Sequence, residues 1–202
     1  MNEKFFDGVL NIKTGGEQKG FPTSLHYHRY EPTPYSALDT LFNQYELNSS
    51  DQIVDFGCGK GRLIFYINYL WNATVIGIEM NQSLFQEALQ NQNSYLKRNK
   101  NSRDKIQFVC CYAQDYEIGP LENRFYFFNP FTIHIFMKII HNILLSVEKS
   151  NREIELVLYY PSEDYIYFLE NQTPSTLKQE VILPDLYDHN PNERFLIYRL
   201  AY

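Results

Sequence analysis

Three glycines spaced by two, Gly57, Gly59 and Gly61, sit between the apolar run Gln52-Ile53-Val54-Asp55-Phe56 and the helix-like Arg62-Leu63-Ile64-Phe65-Tyr66-Ile67. A glycine turn from strand to helix lets backbone amides approach a ligand with no Cβ in the way, and the helix dipole favours negative charge there. Glu79 closes the next apolar run, Ala73 to Ile78, 22 residues after Gly57. A carboxylate at that place can accept both ribose hydroxyls of an adenosine-type ligand. Asp55 stands immediately before the turn, where it repels a pyrophosphate and suits a cationic ligand. The glycine spacing also departs from the dinucleotide pattern G-x-G-x-x-G, and no Gly-Lys-Ser/Thr of a P-loop follows. A nicotinamide-dependent oxidoreductase is therefore disfavoured.

Val54-Asp55-Phe56-Gly57-Cys58-Gly59-Lys60-Gly61 followed by Val75-Ile76-Gly77-Ile78-Glu79-Met80 resembles the first two motifs of class I S-adenosylmethionine-dependent methyltransferases. The resemblance extends over about residues 35 to 202, with the specific motifs in its first half. It implies S-adenosyl-L-methionine as cofactor and S-adenosyl-L-homocysteine as product. Gly57, Cys58, Gly59 and Gly61 would cradle the methionine part, with Asp55 near its ammonium. Glu79 would hold the ribose and Met80 would pack on the adenine. The family's third motif corresponds to Cys111-Tyr112-Ala113-Gln114-Asp115, with the acid displaced, so adenine contacts fall to Ala113 and Gln114 or Asp115. Phe127-Phe128-Asn129-Pro130-Phe131 resembles the Asn/Asp-Pro-Pro-aromatic motif of amino-group methyltransferases with one proline missing. In those relatives the Asn carbonyl orients the target nitrogen and the aromatic stacks on a planar acceptor. Asn129 is accordingly the catalytic candidate. The alternative is a module that binds S-adenosylmethionine or S-adenosylhomocysteine without transferring a methyl group.

Other candidates have a bland reading beside the functional one. Lys60 and Arg62 sit near a helix N-terminus, where the dipole disfavours cations; either a ligand carboxylate explains them or both point into water. Tyr30, Thr33 and Tyr35 either close over the cofactor or pack on the first helix. His134 follows the fourth motif as a possible base or a solvated helix-start histidine. His26 and His28 lack the further ligands of a metal site and read as surface residues. No metal is expected.

The elements that must position these groups alternate. Thr33-Pro34 reads as an N-cap followed by a proline at the first helical position, and Leu38, Leu41, Phe42 and Tyr45 form one helical stripe. Strands are expected at 52–56, 73–78, 106–111, 125–128 and 154–159, apolar enough to be covered on both faces. Asn81 caps a helix between the second and third, 133–147 is a buried helix, and Ser162 caps another over 162–171. Two strands at 177–183 and 194–201 are joined too briefly for a helical crossover and must pair antiparallel. With this order the resemblance implies a Rossmann-like three-layer α/β/α sandwich with a seven-stranded, mostly parallel sheet and an antiparallel last strand, which the terminal hairpin fits. Residues 1–34 read as an arm or lid and 35–202 as the methyltransferase domain.

Composition sets the outer bounds. The chain of 202 residues carries 18 Lys and Arg against 24 Asp and Glu, a net charge of −6. No global positive field draws it to bulk nucleic acid or to an anionic membrane. There is no membrane-spanning run and no charged-then-apolar leader, so the expected location is the cytosol. The expected partner is a methyl acceptor, a small molecule or a protein. Three cysteines, with Cys110 and Cys111 adjacent, form neither an even framework nor a CxxC pair.

Overall fold

The near-continuous apolar runs form parallel strands, the inner ones buried on both faces and the edge strand over 106–109 only partly. Gln52–Phe56 (β1), Thr74–Ile78 (β2), Ile106–Val109 (β3), Arg124–Phe128 (β4) and Ile154–Tyr159 (β5) are joined by Ser175–Ile182 (β6) and Arg194–Leu200 (β7). The sheet order is β3-β2-β1-β4-β5-β7-β6. The first five strands pair parallel, and β7 runs antiparallel to both β5 and β6. The computed structural model describes residues 3–16 and 29–200.

Helices cover both faces, giving the three-layer Rossmann-like sandwich. Glu3–Leu10 (α1), Tyr35–Phe42 (α2), Arg62–Trp71 (α3) and the end of Gln82–Tyr95 (α4) pack with Ile53, Val75 and Tyr126. Ile133–Lys149 (α5) and Glu163–Gln172 (α6) pack with Val54, Phe56, Phe125 and Phe127 on the other face. A one-turn helix, Pro184–Tyr187 (α7), lies in the connection from β6 to β7. Period-two alternation along β1 thus sends Val54 and Phe56 to one layer and Ile53 and Asp55 to the other.

Two local features differ from the sequence expectation. Residues 3–10, expected as part of an arm or lid, form a helix that tertiary contacts hold in place. Leu10 is fully buried, and the Asp7 carboxylate accepts from Thr14 N (2.7 Å), Thr14 Oγ1 (2.8 Å) and Tyr35 Oη (2.8 Å). Pro34, not Thr33, occupies the N-cap of α2. The Thr33 hydroxyl is instead buried against the Tyr126 hydroxyl at 2.8 Å, so a long-range bond replaces the local cap. Asn81 does cap α4, accepting from Ser83 N and Leu84 N.

Candidate functional site

Parallel order places the C-terminal ends of β1, β2, β4 and β5 side by side, and the strand order reverses between β1 and β4. Ligands of open α/β sheets bind in that crevice. Here it is a cavity of about 230 Å³, and of the candidates from the sequence it is lined by Tyr30, Gly57, Glu79, Met80, Ala113, Asn129 and Phe131. Ile78, Leu84 and Cys111 add an apolar side to it.

Glu79 is held there by two backbone donors. Its Oε2 accepts from Gly59 N at 3.0 Å and its Oε1 from Asn81 N at 2.7 Å. One lone pair on each oxygen is left for a diol. Burial pushes its carboxyl above the ordinary carboxylate value, opposed by the backbone N–H groups of Asn81, Gly59 and Met80.

The turn is built from its own glycines. Gly57, Gly59 and Gly61 all have positive φ, at 85°, 54° and 86°, a region that suits glycine. Gly57 N and Cys58 N both donate to Ile78 O, at 2.9 and 3.0 Å, which fixes the turn to the end of β2. Only Gly57 reaches the cavity surface. Gly61 caps α3 beneath Phe65 and Phe108, and the Cys58 thiol packs towards Gly77. Gly59 directs its N–H to Glu79 and carries the Tyr30 ring on its other side. Asp55 lies buried behind the turn. Gln114 is off the cavity, its carbonyl accepting from Asn142 Nδ2 at 2.9 Å.

Neither Lys60 nor Arg62 points into water. Both are 5% exposed and tie the N-terminal segment to the turn. Lys60 Nζ pairs with Glu87 at 3.0 Å and donates to Gly15 O at 3.2 Å. Arg62 pairs with Glu3, and also donates to Thr14 Oγ1 at 2.8 Å and Thr33 O at 3.1 Å. The dipole objection to cations at this helix start is met by protein acceptors.

Asn129 follows β4 with φ +38°, a left-handed conformation that Asn tolerates better than most residues. Pro130 locks this corner against the turn, its Cβ only 3.0 Å from where a Cβ on Gly57 would lie. Phe131 is 3% exposed and belongs to the core, with its carbonyl accepting from Tyr165 Oη at 2.6 Å. Phe128 and Tyr160 line the cavity with it as aromatic residues. Tyr160 also has positive φ, +52°, and its hydroxyl accepts from Asn190 Nδ2 at 2.7 Å. His134 is exposed and away from the cavity. His26 and His28 lie outside the described residues. Tyr35 packs under α1 against Phe6 and Arg62. Among the described residues no group of three His, Cys, Asp or Glu is placed to hold a metal ion, and no helix is long and apolar enough to cross a membrane.

A family model described as a methyltransferase domain matches residues 34–117, the stretch that contains the glycine turn, Glu79 and Ala113. About two fifths of the chain is thus similar to a methyltransferase domain. Solved structures agree with the fold. An RNA methyltransferase from Salinibacter ruber in complex with S-adenosylhomocysteine aligns at TM-score 0.53 and 14% identity, over 84% of this chain and 92% of that one. A methyltransferase from Thiobacillus denitrificans, also with S-adenosylhomocysteine, gives TM-score 0.56 and 10% identity, over 84% and 92%. The N-terminal domain of human METTL16 gives 0.53 and 14%, over 83% and 67%. No curated protein matches by sequence.

Asp55 lies near a second buried carboxylate, Glu79. Burial and then the charge of Glu79 push it up to about 8. The folded chain therefore holds this proton over a window in which the unfolded chain has released it, so stability falls as pH rises from about 4 towards about 8. Asp55→Asn removes that dependence. Its melting temperature minus that of the wild type should grow by several degrees between pH 5 and pH 9, at ~2–4 °C per kcal/mol for a domain of this size. Thermal melts at the two pH values check it; a constant difference rejects it.

Arg29, Tyr30, Glu31 and Tyr160 line the cavity but escaped the sequence reading as site residues, apart from Tyr30 as a possible lid. The positive φ of Tyr160 and the contact of Tyr30 with Gly59 have no local sequence signal. The prolines after Glu31 show only that this segment is extended.

Proposed function

We propose that this chain transfers the methyl group of S-adenosylmethionine to an amino nitrogen, with Asn129 orienting the acceptor. The observation that carries the reading is the placement of Asn129 on the same cavity as Glu79, in a strained backbone conformation at the end of β4. Unfavourable backbone geometry persists where surrounding structure enforces it, often at functional sites.

The residues present fit the cofactor. Glu79 offers the remaining lone pairs of its carboxylate to a ribose diol, and Met80, Leu84 and Ala113 offer apolar surface to adenine. Gly57 supplies the close backbone approach. Asp55, buried behind it and holding its proton, is off the cavity and supports the turn rather than supplying a charge to the ligand. Cys58, Gly59 and Gly61 act by shaping the turn, and Gln114 through its segment.

The cofactor supplies an already activated methyl group, so the protein's task is to align the nucleophile. The Asn129 carbonyl accepts a hydrogen bond from the incoming N–H, which points the nitrogen lone pair along the line of attack. Phe128, Pro130 and Tyr160 restrict the acceptor to that approach. A neutral amine presents its lone pair without a strong base, which agrees with the absence of His134 from the cavity.

The acidic balance disfavours binding of bulk nucleic acid through its phosphates. It does not disfavour a single base amine, and one structurally similar protein is an RNA methyltransferase. The test is methyl-labelled S-adenosylmethionine offered with polyamines, a lysine-rich peptide and total RNA, followed by hydrolysis and mass spectrometry. Label on nitrogen is expected; label on oxygen or carbon overturns amine specificity.

A further inference from the structure

Arg29 is the one cationic side chain among the described residues that line the cavity. It is exposed, as is Glu31, which also lines the cavity. The two cations of the glycine turn are engaged away from it: Lys60 with Glu87 and Gly15, Arg62 with Glu3, Thr14 and Thr33. Tyr30 separates the two sets. Its ring lies so close over Gly59 that a Cβ there would overlap it, and its hydroxyl donates to Thr14 O at 2.7 Å. The Lys60 ammonium stands 5.4 Å from the centre of that ring. Tyr30 faces the cavity, while Gly59 and Lys60 do not. A zwitterionic ligand end passing Gly57 therefore meets residues 29–31 and not the cations of the turn.

We propose that Arg29 binds the carboxylate of the cofactor's amino-acid end and that Glu31 takes its ammonium, which makes this segment the selector for the intact amino-acid tail. The inference rests on the reading of the cavity as the S-adenosylmethionine site. A guanidinium presents two parallel N–H donors to a carboxylate, a stronger and more directional pairing than a lysine offers. Tyr30 forms the apolar wall between them and the turn.

The test pairs a change in the protein with a change in the ligand. The full chain, wild type and Arg29→Gln, is titrated calorimetrically with S-adenosylhomocysteine and with decarboxylated S-adenosylhomocysteine. Wild type should bind the intact ligand at least about tenfold more tightly, the scale of one charge-assisted bond. Arg29→Gln should lose about that factor for the intact ligand and stay within twofold for the decarboxylated one. Equal weakening of both ligands, or of neither, overturns the proposal, because independent changes add. Glu31→Gln with the deaminated analogue gives the matching cycle for the ammonium. If wild type binds none of these ligands the cofactor reading fails with it, whereas tight binding that is indifferent to Arg29 and to the carboxylate sinks this inference alone.

Discussion

Asn129→Gly is expected to lower methyl-transfer turnover by about 10²-fold or more while leaving affinity for S-adenosylhomocysteine within a few fold. The magnitude follows from alignment: a nucleophile misplaced by about 1 Å loses on the order of 10² in rate. Glycine is the informative replacement because φ is +38° at this position. Alanine would add about 1–2 kcal/mol of backbone strain to the loss of the carboxamide. Single-turnover rates at saturating cofactor, beside calorimetric affinities, separate the two effects. Loss of cofactor binding with unchanged single-turnover rate would move Asn129 from the acceptor to the cofactor side of the cavity.

Glu79→Ala is expected to weaken S-adenosylhomocysteine binding by roughly 100-fold or more, since hydrogen bonds to a charged group contribute about 1.5–3 kcal/mol each. Two consequences combine. The ribose loses its acceptors, and the N–H groups of Gly59 and Asn81 lose theirs, so the turn itself loosens. Glu79→Gln distinguishes them: its single carbonyl oxygen satisfies one backbone donor, and its amide must face the other donor. Its affinity should fall nearly as far, with a smaller loss of melting temperature. An affinity within threefold of wild type for both variants would remove Glu79 from the cofactor site.

Much of this site was legible along the chain because its chemistry is local. Gly57 to Gly61 and Glu79 owe their positions to one strand-turn-helix-strand unit, in which turn glycines and strand-end carboxylates fall at spacings set by backbone geometry. The apolar runs likewise announced buried parallel strands, and Asn81 its helix cap. The antiparallel ending followed from a connection too short to cross the sheet.

Residues 3–10 and the cations Lys60 and Arg62 were not legible in this way. Their surroundings come from partners far along the chain: Glu3 for Arg62, Glu87 for Lys60 and Tyr126 for Thr33. Composition and spacing record which groups are charged, but burial and pairing decide whether a cation meets a ligand, water or another part of the protein. The chain order therefore determined the sheet, the turn and the acid at the end of β2. Packing of residues 3–16 and 29–35 over the turn decided which glycine faces the cavity and which charges reach it, because that packing joins segments with no shared local pattern.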